Sequence, residues 1–509
     1  MAKSSTIDIL YRDAVYAQRS GDLETAAEHY RAVLTNDKTH LPALNNLAAT
    51  LIALGNPSEA LSCFRKGIFH FPNSPELLGN FAKFLRDNGD LEGAVLNYTK
   101  CLDQNPRLPE IHYALGIILR QIGRLEDAKR HLHQSAKYFS TDARPWTALS
   151  AVALDLGEEE KAVSTITKAL ALSPSDPDSL NIKGLIAKAR GDFLESKNAF
   201  DHAISIQPNH AEAHFNRGTL RLLLGELPAA WNDFEWRWQD RPSPPGAPSN
   251  IPKWEGDDIS GKTILVLGEQ GFGDIIQFIR YAPCLNGLGA RVIIQCRKPL
   301  HRLIESASGV SKVVAFGEEV FANTWIPIMS LAYLFGSTSQ NIPLPQGYFY
   351  QNLVTKTDKF IRNIGLVWAG NERHGNNLKR SMALSDLEPI LKLRNYRFFS
   401  LQMGARRNDL QSNHYGDQIS DLMDDVTDFQ DTLERLSQID LLITVDTAVA
   451  HLSGAMGRKT YLLLPKVPDW RWMLCREDSP WYHSIKLFRQ NNDGDWKHPI
   501  KKILDLLSD

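Results

Sequence analysis

The chain has 509 residues, with 57 Lys and Arg against 59 Asp and Glu for a net charge of −2. That length exceeds a single hydrophobic core and calls for two or three domains, while the near-neutral balance argues against a nucleic-acid partner held mainly through phosphate contacts. No apolar run reaches membrane-spanning length, the start MAKSSTIDILYRDAVYAQRS lacks a signal-peptide core, and the scattered Cys63, Cys101, Cys284, Cys296 and Cys475 form no C-x-x-C pair, so a cytoplasmic protein without a metal framework is expected.

In chain order, the first feature is a run of glycines, Gly21, Gly55, Gly89, Gly123, Gly157, Gly191 and Gly225, each 34 residues from the next. A period of that length filled with helix formers predicts stacked helix–turn–helix units. Small residues recur five after each glycine (Ala26, Ala60, Ala94, Ala128, Ala162, Ser196, Ala230) and seven before it (Ala14, Ala48, Ala82, Gly116, Ser150, Gly184, Gly218), where two helices cross closely. Large residues recur nine after it (Tyr30, Phe64, Tyr98, Leu132, Ile166, Phe200, Phe234), and Pro72, Pro106, Pro174 and Pro208 stop second helices. This pattern resembles the tetratricopeptide repeat over residues 7 to about 240, so residues 1–240 are expected to form an α-solenoid of about seven repeats whose groove takes a protein or peptide. Asn46, Asn80 and Asn216 share one position on the first helix of a unit; they are either a ladder that hydrogen-bonds an extended peptide backbone or solvated helix asparagines. Trp231, Trp236 and Trp238 in the closing unit are expected to dock the last helix onto the next domain.

Residues 241–262 read as a linker, with Pro242, Pro244, Pro245, Pro248, Pro252, Gly246, Gly256 and Gly261 excluding a helix or an inner strand. The sequence leaves open whether it is docked or loose. Short apolar runs then alternate with helical stretches, as in a parallel sheet covered by helices. Strands are expected at Thr263–Leu267, Arg291–Gln295, Lys312–Ala315 and Thr324–Pro327, and again at Asn363–Val367, Arg397–Ser400, Leu441–Thr444 and Thr460–Leu464. Two such series predict two facing Rossmann-like lobes, with ligands outside the C-terminal strand ends.

The loop Gly268-Glu269-Gln270-Gly271-Phe272-Gly273-Asp274 follows the first strand. As a dinucleotide fingerprint it needs an acid at the end of the next strand, where Gln295, Cys296 and Arg297 stand instead. Asp274 is then either a helix cap or a general base at the cleft. The second loop, Asp446-Thr447-Ala448-Val449-Ala450-His451, opens a helix. Asp446 is placed to cap it or to meet sugar hydroxyls, the Thr447 hydroxyl and free backbone N–H groups form a phosphate receptor, and His451 is either ligand-facing or buried.

Gly273-Asp274, the Asp446-Thr447-Ala448-x-x-His451 turn, Ile364-Gly365-Leu366-Val367-Trp368-Ala369-Gly370-Asn371 with Lys379-Arg380-Ser381, and Asp469-Trp470-Arg471-Trp472 resemble the heptosyltransferase family (family nine) of glycosyltransferases, in bacterial members fused to tetratricopeptide repeats. The resemblance implies an α + α/β protein with a GT-B fold, an acceptor lobe at 263–360 and a nucleotide-sugar lobe at 361–509. It implies inverting, metal-independent transfer with Asp274 as base. Donor contacts would come from Gly271, Gly273, Gln277, Trp368, Asn371, Lys379, Arg380, Ser381, Gln402, Asp446, Thr447, Ala448, His451 and Trp470. Either Lys379 or Arg380 would supply the cation that meets the donor phosphates, and Trp368, Trp470 and Trp472 either stack on the donor or fill the core. Asp493-Gly494-Asp495 reads as a surface turn rather than a metal site. No cofactor and no metal is expected beside the nucleotide-sugar co-substrate.

Fusions of this kind include soluble flagellin glycosyltransferases, so the favoured reading is a protein glycosyltransferase whose arm captures a polypeptide, flagellin among the acceptors. A transferase acting on lipopolysaccharide or another glycan, with a scaffolding array, and a scaffold with a dead transferase lobe are the alternatives.

Overall fold

The computed structural model describes residues 2–239, 244, 246–349, 362–372, 375, 377–412 and 415–508. Pro242 and Pro245 of the linker, and the boundary expected between residues 360 and 361, lie outside the described residues. The chain forms two compact units, Met1–Ile186 and Ala187–Asp509, and the division falls inside the helix Pro177–Arg190.

Fourteen α-helices run from Ala2–Ser20 to Leu227–Phe234 as antiparallel pairs. All seven period glycines sit at the turn within a pair with φ between +74° and +86°. An L-residue with a Cβ is strained there, so the 34-residue period is a period of left-handed turns. The side chains of Asp22, Ser74, Asp90 and Asp142 cap the helices that follow them. The small positions are packing positions: Ala14, Ala48 and Ala82 are fully buried, and a Cβ on Gly116 would come within 2.6 Å of Leu132.

In the second unit, β1 (Thr263–Leu267), β2 (Arg291–Gln295), β3 (Val310–Val314) and β4 (Thr324–Pro327) form a parallel sheet ordered β3-β2-β1-β4. A second parallel sheet, ordered β10-β9-β8-β5-β6-β7, contains β5 (Asn363–Val367), β6 (Arg397–Ser400), β7 (Ile419–Asp421), β8 (Leu441–Val445), β9 (Thr460–Leu464) and β10 (Ile485–Arg489). The edge strands β7 and β10 were not expected from the sequence, and β3 begins two residues before its expected start. In both sheets the chain winds one way and then reverses, between β1 and β4 and between β5 and β8, which marks the places where open α/β sheets bind ligands.

The last helices of the array belong to this unit. Trp231 is buried at 1 % exposure; its indole N–H donates to the Ser337 carbonyl at 2.9 Å, and its ring meets Phe278, Trp470 and Trp481 edge-on. Trp236 instead stacks on His214 within the array, at 3.9 Å and 6°. The linker is pinned near its middle: the Trp254 N–H donates to the Trp325 carbonyl at 2.7 Å, and the Trp325 N–H to the Pro252 carbonyl at 3.1 Å.

Candidate functional site

The loop after β1 approaches its neighbour closely, because a Cβ on Gly268 would stand 2.8 Å from the Gln295 carbonyl. It delivers Asp274 into the first turn of the helix Phe272–Phe278. Asp274 has both roles the sequence left open in reach. Its Oδ2 accepts the Gly271 N–H at 2.6 Å, closing the helix start, while its Oδ1 pairs with the Arg471 guanidinium. The side chain keeps 14 % exposure. Burial pushes its carboxyl above the usual carboxylate range, against the pull of Arg471 and the Gly271 N–H.

The loop after β8 meets this helix. His451, in the helix Ala448–Ala455, lies against Gly273, where a Cβ would come within 2.8 Å of its ring. The imidazole stacks on Trp472 at 5.1 Å, and its Nδ1 stands 3.1 Å from the Tyr482 hydroxyl. Burial, reinforced by Arg471, pulls its pKa down to about 3, so the ring is neutral. Of the two readings of His451, the structure takes the buried one. Asp446 does not cap the helix: Thr447 is the N-cap residue, and its hydroxyl makes no cap bond and stands 3.5 Å from the Thr444 hydroxyl. The N-terminal N–H groups of that helix therefore lack a side-chain cap among the described residues.

Arg471 joins the two loops. Its Nε donates to Gln277 Oε1 at 2.9 Å, one terminal nitrogen donates to Asp469 Oδ1 at 2.8 Å, and the other pairs with Asp274. The residue is 7 % exposed. Gln277, expected at the donor, thus sits behind Arg471, with its Nε2 buried and unpartnered. Arg471, Asp469 and Tyr482 were not named as site residues from the sequence; the signal was the dense run of charges and tryptophans in Asp469-Trp470-Arg471-Trp472.

Of the two candidate cations, the charge of Arg380 reaches Asp446 and His451. Its guanidinium lies on Gly370, where a Cβ would be 2.7 Å away, and its Nε is buried without a partner. Lys379 is half-buried beside it. Ser381 accepts the Gly370 N–H at 3.0 Å, which fixes the loop that carries the exposed Asn371. Gln402 is spent on the same loop: its Oε1 accepts the Trp368 and Ala369 N–H groups, and its Nε2 donates to the Ala369 and Met403 carbonyls. Trp368 is fully buried with its indole N–H on Asp409, and Trp470 is packed among Trp231, Phe234 and Trp481 with Arg471 over its ring at 4.1 Å. Both tryptophans are core. Gly271 and Ala448 keep exposure at the loop mouths. Asp495 spends its carboxylate on the Lys497 N–H, in the turn that Gly494 makes at φ +79°.

In the first unit, Asn46 donates to the Tyr11 and Tyr30 hydroxyls and Asn80 to Asn45 Oδ1, so both amides are engaged within the array. Asn216 lies in the second unit, half-buried. A groove of about 530 Å³ in the first unit is lined instead by Leu61, Arg65, Phe81, Phe84 and Asn97.

Burial and then repulsion from Asp469 push the Asp446 carboxyl above the usual range, against Arg380 and Arg471. The folded protein therefore holds this proton more tightly than the unfolded chain, and the contribution of Asp446 to stability is lost as pH rises from the ordinary carboxylate range through its raised value. Asp446→Asn is expected to be more stable than the parent at pH 8 by roughly 1–3 kcal/mol, with the gap closing toward pH 4. Thermal denaturation across pH checks this, and a gap independent of pH contradicts it.

Tetratricopeptide-repeat profiles match residues 17–79, 85–152, 143–176 and 183–247. Together with the fold they define the class, an N-terminal tetratricopeptide-repeat solenoid followed by an α/β region of parallel sheets. Protein FlbA of Caulobacter vibrioides is 22 % identical over 530 aligned positions, which cover 97 % of this chain and 83 % of FlbA. The human protein O-mannosyl-transferase TMTC1 is 23 % identical over 198 residues, 38 % of this chain and only 22 % of TMTC1. Among solved structures, a tetratricopeptide repeat protein from Parabacteroides merdae superposes with a TM-score of 0.43 at 17 % identity, over 47 % of this chain and 95 % of its own.

Proposed function

We propose that this protein is a GT-B glycosyltransferase that moves a sugar from a nucleotide sugar to a hydroxyl of a polypeptide captured by the repeats, with flagellin one candidate acceptor. The observation that carries the reading is the Asp274–Arg471 pair, which puts a carboxylate from the first sheet and a guanidinium from the second at one place, beside the uncapped start of the helix Ala448–Ala455. In the step proposed, the acceptor oxygen attacks the anomeric carbon from the side of Asp274, and Asp274 takes its proton. The bond from the anomeric carbon to the phosphate oxygen breaks, and the nucleotide leaves with both electrons. Arg380 and the Thr447 and Ala448 N–H groups hold the charge that develops on it, a task that gives no metal a role. The raised pKa of Asp274 makes its carboxylate a stronger base toward the acceptor proton. Attack opposite the leaving group inverts the anomeric centre.

TMTC1 is by name a protein O-mannosyl-transferase, and the short span of that alignment gives it no further weight. The doubly wound strand order of both sheets supports two lobes of the GT-B kind.

The test is a thermal-shift panel of UDP-, GDP-, ADP- and CMP-sugars on the full chain. One nucleotide is expected to raise the melting temperature at concentrations near 100 times its Kd by an amount equivalent to about 2.7 kcal/mol. If none shifts it, the reading as a transferase fails and the scaffold reading takes its place.

A further inference from the structure

The closing turn of the repeat array reaches the loop that carries Asp274. Arg237, in the short helical turn Glu235–Trp238, meets Glu269 of that loop through two parallel bonds: its Nε donates to Oε2 at 3.1 Å and one terminal nitrogen to Oε1 at 3.0 Å. The two side chains are 6 % and 3 % exposed. Glu269 Oε1 also accepts the Met329 N–H at 2.9 Å, and the same terminal nitrogen of Arg237 donates to the Ser330 hydroxyl at 2.9 Å. Met329 and Ser330 follow β4, so the pair ties the loops after β1 and β4 together at the switch point of the first sheet. The other terminal nitrogen donates to Glu235 Oε1 at 2.6 Å and to the Phe234 carbonyl at 3.2 Å, both in the array. A planar fork is thereby fixed from the array side and directed at the loop. Burial pushes the Glu269 carboxyl above the usual carboxylate range, against Arg237 and the Met329 N–H, and the fork, with both oxygens accepting, is the geometry of the carboxylate.

The residue after Glu269 is held in a conformation it does not favour. Gln270 has φ +59°, in the left-handed region, where a side chain is strained and glycine is free. Such a conformation persists where its surroundings over-determine it. Here the loop is gripped on both sides of Gln270. Arg237 and the Met329 N–H hold Glu269 before it, and Asp274 Oδ2 holds the Gly271 N–H at 2.6 Å after it.

We infer that Arg237 and Glu269 are a positioning pair of the transfer site, through which the last turn of the array holds the strained loop after β1 in the shape that presents Asp274. The inference rests on the reading of Asp274 as base for its rate consequences only. With Arg237 gone, Glu269 is released, Gln270 relaxes out of the left-handed region, and the Gly271 N–H that fixes Asp274 turns away. Asp274 then spends less time in the reactive geometry, and the chemical step slows. The donor, whose phosphate is assigned to the helix after β8, still binds.

The experiment uses the full chain with Arg237→Met, Gln270→Gly and the two combined. In hydrogen exchange on the apo protein, peptides covering residues 267–275 are expected to exchange roughly tenfold faster in Arg237→Met. In transfer, kcat is expected to fall roughly tenfold while the donor KM stays within about twofold of the parent. Gln270→Gly removes the steric cost of the left-handed turn, so in the Arg237→Met background it is expected to recover roughly threefold in both readouts. A contact that only docks the array onto the sheet would not be rescued by a glycine in the loop. If Arg237→Met disrupts folding, Glu269→Gln, which keeps the size of the side chain and an acceptor for the Met329 N–H, takes its place with smaller effects in the same directions. Parental exchange over residues 267–275 overturns the inference, as does a loss that Gln270→Gly fails to recover, or a raised donor KM at unchanged kcat. If the parent protein transfers no sugar, the proposed function fails, while the exchange readout and its recovery by Gln270→Gly still judge the pair.

Discussion

Asp274→Asn is expected to lower sugar transfer by about a thousandfold, within the range attributed to a positioned general base, while the nucleotide-sugar thermal shift persists. Asparagine keeps the shape of the side chain and can still accept the Gly271 N–H that closes the helix start, so the loop after β1 should survive. What it cannot do is take a proton from the acceptor. The contrast between lost transfer and retained donor binding separates a base from a residue that merely builds the loop. Loss of both together would make Asp274 structural, and unchanged transfer would remove it from the mechanism.

Arg471→Gln is expected to produce the largest loss of stability. The guanidinium is 7 % exposed and is held by Gln277, Asp469 and Asp274. Removing it strands two carboxylates in the same enclosed place, a change that costs on the order of 3–5 kcal/mol when a buried ion pair is broken from one side. For a unit of this size a fall in melting temperature on the order of 5–10 °C follows. Lysine should not rescue it, since a single ammonium cannot reproduce a planar fork directed at three acceptors. The pair also predicts non-additivity: in Asp274→Asn/Arg471→Gln the second substitution should cost less than it does alone, because one of the stranded charges is already gone. A parental melting temperature for Arg471→Gln would mean that the pair contributes nothing.

The array was legible in the sequence because its signal is local and repeated. Each period glycine is required by a left-handed turn inside its own 34-residue unit, and each small residue by a crossing of two helices that are neighbours in the chain. Eight of the ten strands among the described residues were legible as short apolar runs, the clearest of them, such as Thr263–Leu267 and Leu441–Val445, buried on both faces. The two that escaped are edge strands: Ile419–Asp421 is only three residues long, and Ile485–Arg489 carries two basic residues among its five.

The site was legible only in part. Asp274, Asp446 and Thr447 announced themselves by following strand ends, while Arg380 was one of two cations that the resemblance offered, and the fold brings the loops after β1 and β8 to the switch points of the two sheets. The hydrogen-bond partners did not, because they are set by packing between distant segments: Arg471 pairs with Asp274 across 197 positions, and Gln402 is consumed by a backbone loop 33 positions away. The tryptophans show the same limit. Trp368 and Trp470 have the residue type that stacks on nucleotides, and burial decides that both are core instead.

The measurement that tests the account most directly is a crystal structure of the full chain with the nucleotide of the sugar donor that gives the largest thermal shift. The account predicts the nucleotide's terminal phosphate at the start of the helix Ala448–Ala455, within hydrogen-bond distance of the Thr447 and Ala448 N–H groups and of Arg380, with Asp274 facing the space where the sugar would extend. A phosphate bound elsewhere, or bound there with Asp274 turned away from that space, would contradict it.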